Sequence, residues 1–173
     1  MEIRVLGPVE ARDGGCLIDI GHARQRAVLA VMAADPGAVL STNAVAERIW
    51  GDGQGTRGHD SLYNYMSRLR RALPGVIARR GGGYVFDADP NIVDLHRFRA
   101  MVSRARGDAD AASILDEALK LWRGDAFAGL DAPWLSRLAI ELETERHDAW
   151  LARNDAALSA GGAAGLAAEL RRA

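Results

Sequence analysis

The chain has 173 residues, enough for one large or two small domains, and its 49% hydrophobic content can supply a core. Its single cysteine, Cys16, excludes an internal disulfide and a cysteine-built zinc site, and its four histidines (His22, His59, His96, His147) lack metal-ligand spacing, so no metal or cofactor is expected. No run of eighteen apolar residues occurs, the MEIRVLG start lacks a leader's apolar region, and the net charge is -1; a cytoplasmic protein without membrane contact is expected.

The first elements read as strands. Ile3–Gly7, Val9–Arg12 and Cys16–Ile20 are short β-prone runs punctuated by Pro8 and by the turn Asp13-Gly14-Gly15, which predicts a small antiparallel sheet. A helix follows over about Ala23–Asp35, with Val28, Leu29, Val31 and Met32 as its apolar face, and Pro36-Gly37 stops it. Val39-Leu40 is a short extended piece. Ser41 or Thr42 can cap a second helix, Thr42–Trp50, that buries Val45 and Ile49. Gly51–Gly58 is a loop.

The stretch His59–Leu73 carries Leu62, Met66, Leu69 and Leu73 at i, i+4, i+7 and i+11, one stripe of a helix. The opposite side offers Asp60, Asn64, Ser67 and Arg71, with Arg68 on its flank. Asn pairs well with adenine, Arg with guanine, and either reaches phosphate. After Pro74-Gly75, two β-prone runs (Val76–Ala78 and Tyr84–Phe86) flank Arg79-Arg80 and three glycines, which predicts a hairpin with a basic, flexible tip. Between residues 57 and 80 six arginines face one anion, Asp60, so this segment is +5 in a chain of net charge -1. Such concentration is the electrostatic footprint of a polyanion partner. The candidate DNA-contacting residues are Arg57, Tyr63, Asn64, Ser67, Arg68, Arg70, Arg71, Arg79, Arg80, Gly82 and Tyr84.

From Asp94 onward only helices are expected. Leu95, Phe98, Val102 and Ala105 share a face. Leu115, Ala118, Leu119 and Trp122 mark the next helix, ending at Gly124. A long helix, about Trp134–Ser159, carries Leu135, Leu138, Leu142 and Ala149 inward, and Gly161-Gly162 should end it before a last helix near Ala163. Hairpins of this kind resemble tetratricopeptide-type repeats. The pattern is still helical at Ala173, as in a truncated or short chain. Trp50, Trp122, Trp134 and Trp150 read as packing residues, and Asp94-x-His96 as a structural polar cluster at a junction. Glu141, Glu143 and Glu145 read as a solvated face.

Enzymatic motifs find no support. Gly53-Gln54-Gly55-Thr56-Arg57-Gly58 fits GxGxxG, but a dinucleotide site needs a strand before it and an acidic residue about twenty positions later. Here a helix precedes, and positions 77–79 are Ile, Ala and Arg. No nucleophile–base constellation stands out, so an enzyme is not expected.

The order sheet, helix, helix, loop, helix, hairpin resembles the OmpR-type winged helix-turn-helix. LGPVEARDGG, RQRAVLAVMAADPGAVLS, AERIWGD, YMSRLRRAL and RRGGGYVF, followed by IVDLHRFRAMVSRARG, EALKLWRGDAF and DAPW, are similar to the Streptomyces antibiotic regulatory protein family over essentially the whole chain. The resemblance implies an α+β winged-helix domain over residues 1–90 with an N-terminal antiparallel sheet, and an all-α, tetratricopeptide-like bacterial transcriptional activation domain over 91–173. It implies a transcriptional activator of antibiotic or other secondary-metabolite genes that binds double-stranded DNA at direct repeats. Self-association on DNA and RNA polymerase recruitment belong to the same implication, with Trp50, Gly51, Asp52 and Gln54 facing the polymerase. The competing reading is a helical-repeat interaction adaptor without specific DNA binding. The long helix is expected to be consumed by packing, leaving no symmetric dimer seam.

Overall fold

The computed structural model describes residues 1–51 and 57–170, and of residues 57–60, 160 and 162–170 only the backbone. Strands β1 (Glu2–Arg4), β2 (Glu10–Asp13) and β3 (Cys16–Ile18) form an antiparallel meander. The Asp13–Cys16 pairing closes the β2–β3 hairpin over Gly14-Gly15, where the turn was expected. Helix α1 (Ala23–Ala34) follows. The apolar residues expected on one face of α1 are part of a wider surface: every residue from Ala27 to Ala33 is buried. A helix apolar on all sides belongs inside, and α1 is the central post against which α2 and α3 pack.

The short strand β4 (Leu40–Ser41) leads directly into α2 (Thr42–Trp50), whose first turn is capped by Ser41 Oγ accepting from the Ala44 N–H at 3.1 Å. Gly51, at φ 74°, ends α2 by donating to the Glu47 carbonyl at 2.8 Å. Helix α3 (Arg57–Ala72) and the hairpin of β5 (Ile77–Arg80) and β6 (Gly83–Phe86) complete the winged helix. β6 is the middle strand of a second sheet ordered β4-β6-β5.

Beyond a short 3-10 turn come α4 (Asp94–Ala105), α5 (Ala111–Leu119) and α6 (Pro133–Leu170). α5 packs on both α4 and α6. Phe98 meets Trp122 edge-to-face at 5.5 Å, and Arg99 grips Glu145 through two hydrogen bonds of 2.7 and 2.9 Å, so Glu145 is not merely solvated. Two expectations fail here. α6 runs through Gly161-Gly162 to Leu170: glycine costs ~1 kcal/mol in a helix relative to alanine, and the surrounding Ala-rich run outweighs it. Trp150, expected to pack, is 51% exposed because Leu135, Leu142 and Ala149 take the inward positions seven residues apart. Ile140, Leu151 and Leu158 also lie exposed along α6, which is therefore not consumed by its neighbours.

One hydrophobic core runs through both halves, from Ile3 and Leu29 to Phe98 and Leu142. The seam is a backbone ladder. Val5 and Leu6 N–H donate to the buried Asp94 carboxylate at 2.7 and 3.1 Å, and the carbonyls of Leu6, Val5 and Gly7 accept from Arg123, Phe127 and Ala128. Asp94, the first residue of α4, also accepts from the Leu95 N–H that follows it at 2.9 Å. Burial pushes its carboxyl above the usual carboxylate range, opposed by those N–H donors and the Arg123 guanidinium. His96 joins the seam by hydrogen-bonding the Ala33 carbonyl at 2.8 Å, so the Asp94-x-His96 pair is structural, as its position suggested.

Candidate nucleic-acid interface

Helix α3 presents two opposite faces. Leu62, Met66, Leu69 and Leu73 are fully buried against the core. At 100° per residue, the exposed Asn64, Ser67, Arg68 and Arg71 fall on the other side, with exposed Tyr63 and Arg70 on its flank. The apolar stripe therefore orients the helix, and the orientation sets the donor face outward. Among the expected residues here, the side chain of Arg57 and all of Asp52 and Gln54 lie outside the described residues; Trp50 and Gly51 lie half-buried at the end of α2.

The hairpin register is Ile77 with Phe86, Ala78 with Val85, Arg79 with Tyr84 and Arg80 with Gly83. That leaves Gly81 and Gly82 as a two-residue turn, both at positive φ (53° and 81°), the pattern of a type I′ hairpin. The three glycines divide their work. Gly81 and Gly82 have open space around them, whereas a Cβ on Gly83 would lie 2.4 Å from the Leu40 carbonyl oxygen of β4.

Strand alternation splits the two wing arginines. Arg79 is on the face of Ile77, Tyr84 and Phe86 but, close to the tip, it is exposed where they are buried. Arg80 lies on the other face and pairs with Asp87 at 2.8 Å. Tyr84 departs from the expectation: it is only 5% exposed, because its register puts it beside Phe86 in the core, and it props the wing from beneath.

Two features were missed in the sequence. Asp87 carries no motif of its own, although a two-residue turn at 81–82 fixes the parity that puts 80 and 87 on one face. The His22 ring meets Tyr65 edge-on at 5.1 Å, so the start of α1, with exposed His22 and Arg24, lies beside α3. Nothing local in the sequence links positions 43 residues apart. Behind the interface, Arg48 of α2 lies 4.4 Å over the Trp134 ring of α6 and pairs with Asp35 at 3.2 Å. No described helix is long and apolar enough to cross a membrane.

Comparison with known proteins bears on the same two halves. The model of the C-terminal domain of transcriptional regulatory proteins matches residues 21–86, and that of the bacterial transcriptional activator domain matches residues 93–173. The chain is 32% identical over 146 residues to the regulatory protein AfsR of Streptomyces coelicolor, covering 80% of this chain and 15% of that one. It is 29% identical over 191 residues to the regulatory protein DnrI of Streptomyces peucetius, covering 98% and 70%. Among solved structures, Mycobacterium tuberculosis EmbR in complex with a low-affinity phosphopeptide superposes with a TM-score of 0.86 at 27% identity, covering 99% of this chain and 49% of that one. The chain thus spans a minor part of AfsR and about half of EmbR. With a winged helix of OmpR type joined to a bacterial transcriptional activator domain, and with such relatives, the chain belongs to the Streptomyces antibiotic regulatory protein family of transcriptional regulators.

Proposed function

We propose that this chain is a sequence-specific DNA-binding activator of antibiotic or secondary-metabolite genes, reading direct repeats upstream of promoters and recruiting RNA polymerase. The observation that carries the reading is the outward face of α3. Asn64, Ser67, Arg68 and Arg71 stand exposed together beside a basic wing, in a segment of net charge +5. Asn64, Arg68 and Arg71 would read base edges in the major groove, each good bidentate pair contributing ~1–3 kcal/mol of discrimination. Tyr63, Ser67, Arg70, Arg79 and the Gly82 backbone would contact the phosphate backbone. Trp50, Gly51, Asp52 and Gln54 would face the polymerase. A protein at work on promoters would lie with the nucleoid in the cytoplasm.

The contact surface is one-sided, with helix and then wing in one direction along the duplex. Copies placed head to tail keep that direction, so half-sites should recur every helical turn, roughly 10–11 bp. Gel shifts on synthetic direct repeats, on the same repeats with half a turn inserted, and on inverted repeats test this. Cooperative binding to the first alone is expected. Tightest binding to the inverted repeat would overturn the repeat assignment, and absence of salt-sensitive binding to any DNA would overturn the function.

A further inference from the structure

We propose that Asp87 is a positioning residue of the DNA surface: it folds Arg80 back as an internal counter-ion, so that the wing offers one phosphate contact, from Arg79, instead of two. This rests on the DNA-binding reading above. The register pairs Arg80 with Gly83 at the hairpin tip, whereas Asp87 follows β6 at the hairpin base. To reach Asp87 Oδ1 at 2.8 Å and Oδ2 at 3.0 Å, the Arg80 side chain must run back along the strands, away from the tip. Both contacts come from one nitrogen, Nη2, so the two carboxylate oxygens hold one end of the guanidinium and set an anion against its charge. Val85 lies on that same outer face and is buried. Arg79 projects from the opposite face and has no ion-pair partner among the described residues. The two adjacent arginines, alike in sequence, are therefore unlike in availability.

The test compares affinity for a random duplex between 50 and 200 mM salt. Each phosphate contact adds about 0.9 to the slope of log affinity against log salt. Arg79→Ala should lower the slope by that amount, and Arg80→Ala should change neither slope nor affinity by more than about a fifth of that contact's effect. Asp87→Asn should release Arg80, steepening the slope by about 0.9, so that its affinity gain at 50 mM shrinks about threefold at 200 mM. Asp87→Glu, which keeps the anion, should bind as the unaltered protein does. The decisive arm is Asp87→Asn in an Arg80→Ala background, where the gain should vanish. If the gain persists there, Asp87 acts only by repelling DNA and the proposal fails. It fails equally if Arg80→Ala costs as much as Arg79→Ala. Unaltered protein that binds no DNA at low salt would sink the DNA-binding reading itself, an outcome distinct from an unchanged slope. Circular dichroism melts check that each variant is folded.

Discussion

Two neighbouring glycines in the wing answer to different constraints. A side chain on Gly83 would drive into the Leu40 carbonyl, so Gly83→Ala must push β4 off β6; overpacking of this kind typically costs ~1–3 kcal/mol. Gly81 needs only positive φ with open space around it, which asparagine tolerates, so Gly81→Asn should leave urea unfolding nearly unchanged. The glycine run was legible as a turn. Its division of labour was not, because it depends on β4, some forty residues earlier. Asp94 is a similar case: its letter suggested a polar junction, but only the fold supplies its donors. Asp94→Asn keeps one acceptor oxygen and strands the Leu6 N–H, a loss of about 1–3 kcal/mol. The pH dependence separates it from Glu2, whose carboxyl the hydrogen-bonded Arg4 and then Arg97 hold below the usual range against burial. A depressed carboxyl stabilises the fold above its unfolded value, and that stability is lost as pH falls through the folded value. A raised one, Asp94, contributes fully below its unfolded value and loses that contribution as pH rises through the folded value. Thermal midpoints from pH 7 to 3 should therefore fall less steeply in Glu2→Gln and more steeply in Asp94→Asn than in the unaltered protein.

Among the elements, α3 was the most legible, because four apolar residues at helical spacing with Asn64, Ser67, Arg68 and Arg71 opposite leave a single way to seat it. Leu69, central in the buried stripe, should lose ~2–5 kcal/mol on truncation to alanine. Asn64→Ala, on the exposed face, should melt within a few degrees of the unaltered protein; a large loss there would mean the helix is rotated from its described seating. α1 and α6 were harder. Periodicity marks a face only when part of the helix stays wet, and α1 is enclosed from Ala27 to Ala33, with α2, α3 and β6 packed against it. In α6, the Gly161-Gly162 stop signal competed with the helix preference of the alanines on either side and lost.

At the scale of the molecule, position 90 marks a change from mixed to all-helical structure without a break in the core. Besides the main-chain ladder at the seam, Val93 bridges Ile3, Ala128 bridges Pro8, and Arg48 stacks on Trp134, so the two halves hold one another firmly. They should unfold as one unit: far-UV circular dichroism and tryptophan fluorescence, which is dominated by Trp122, Trp134 and Trp150 of the helical half, should give coincident urea transitions. A fluorescence transition clearly displaced from the other would show that the halves melt separately. The helical signal and the winged-helix order were both readable in the residues; their fusion was not, since it rests on main-chain groups that carry no letter.

That fusion also fixes an order in time. Residues 3–8 find their partners at Asp94 and at Arg123–Ala128, about 90 and about 120 residues further along the chain. At ~5–20 residues per second, synthesis of the intervening stretch takes roughly 6–24 s. Until Asp94 is made the N–H groups of Val5 and Leu6 lack their native acceptor, and until Arg123–Ala128 are made the carbonyls of Val5, Leu6 and Gly7 lack their native donors. The winged-helix half is thus not a module finished early and handed a helical appendage: the main-chain groups of residues 5–7 are satisfied only once Asp94 and Arg123–Ala128 are in place.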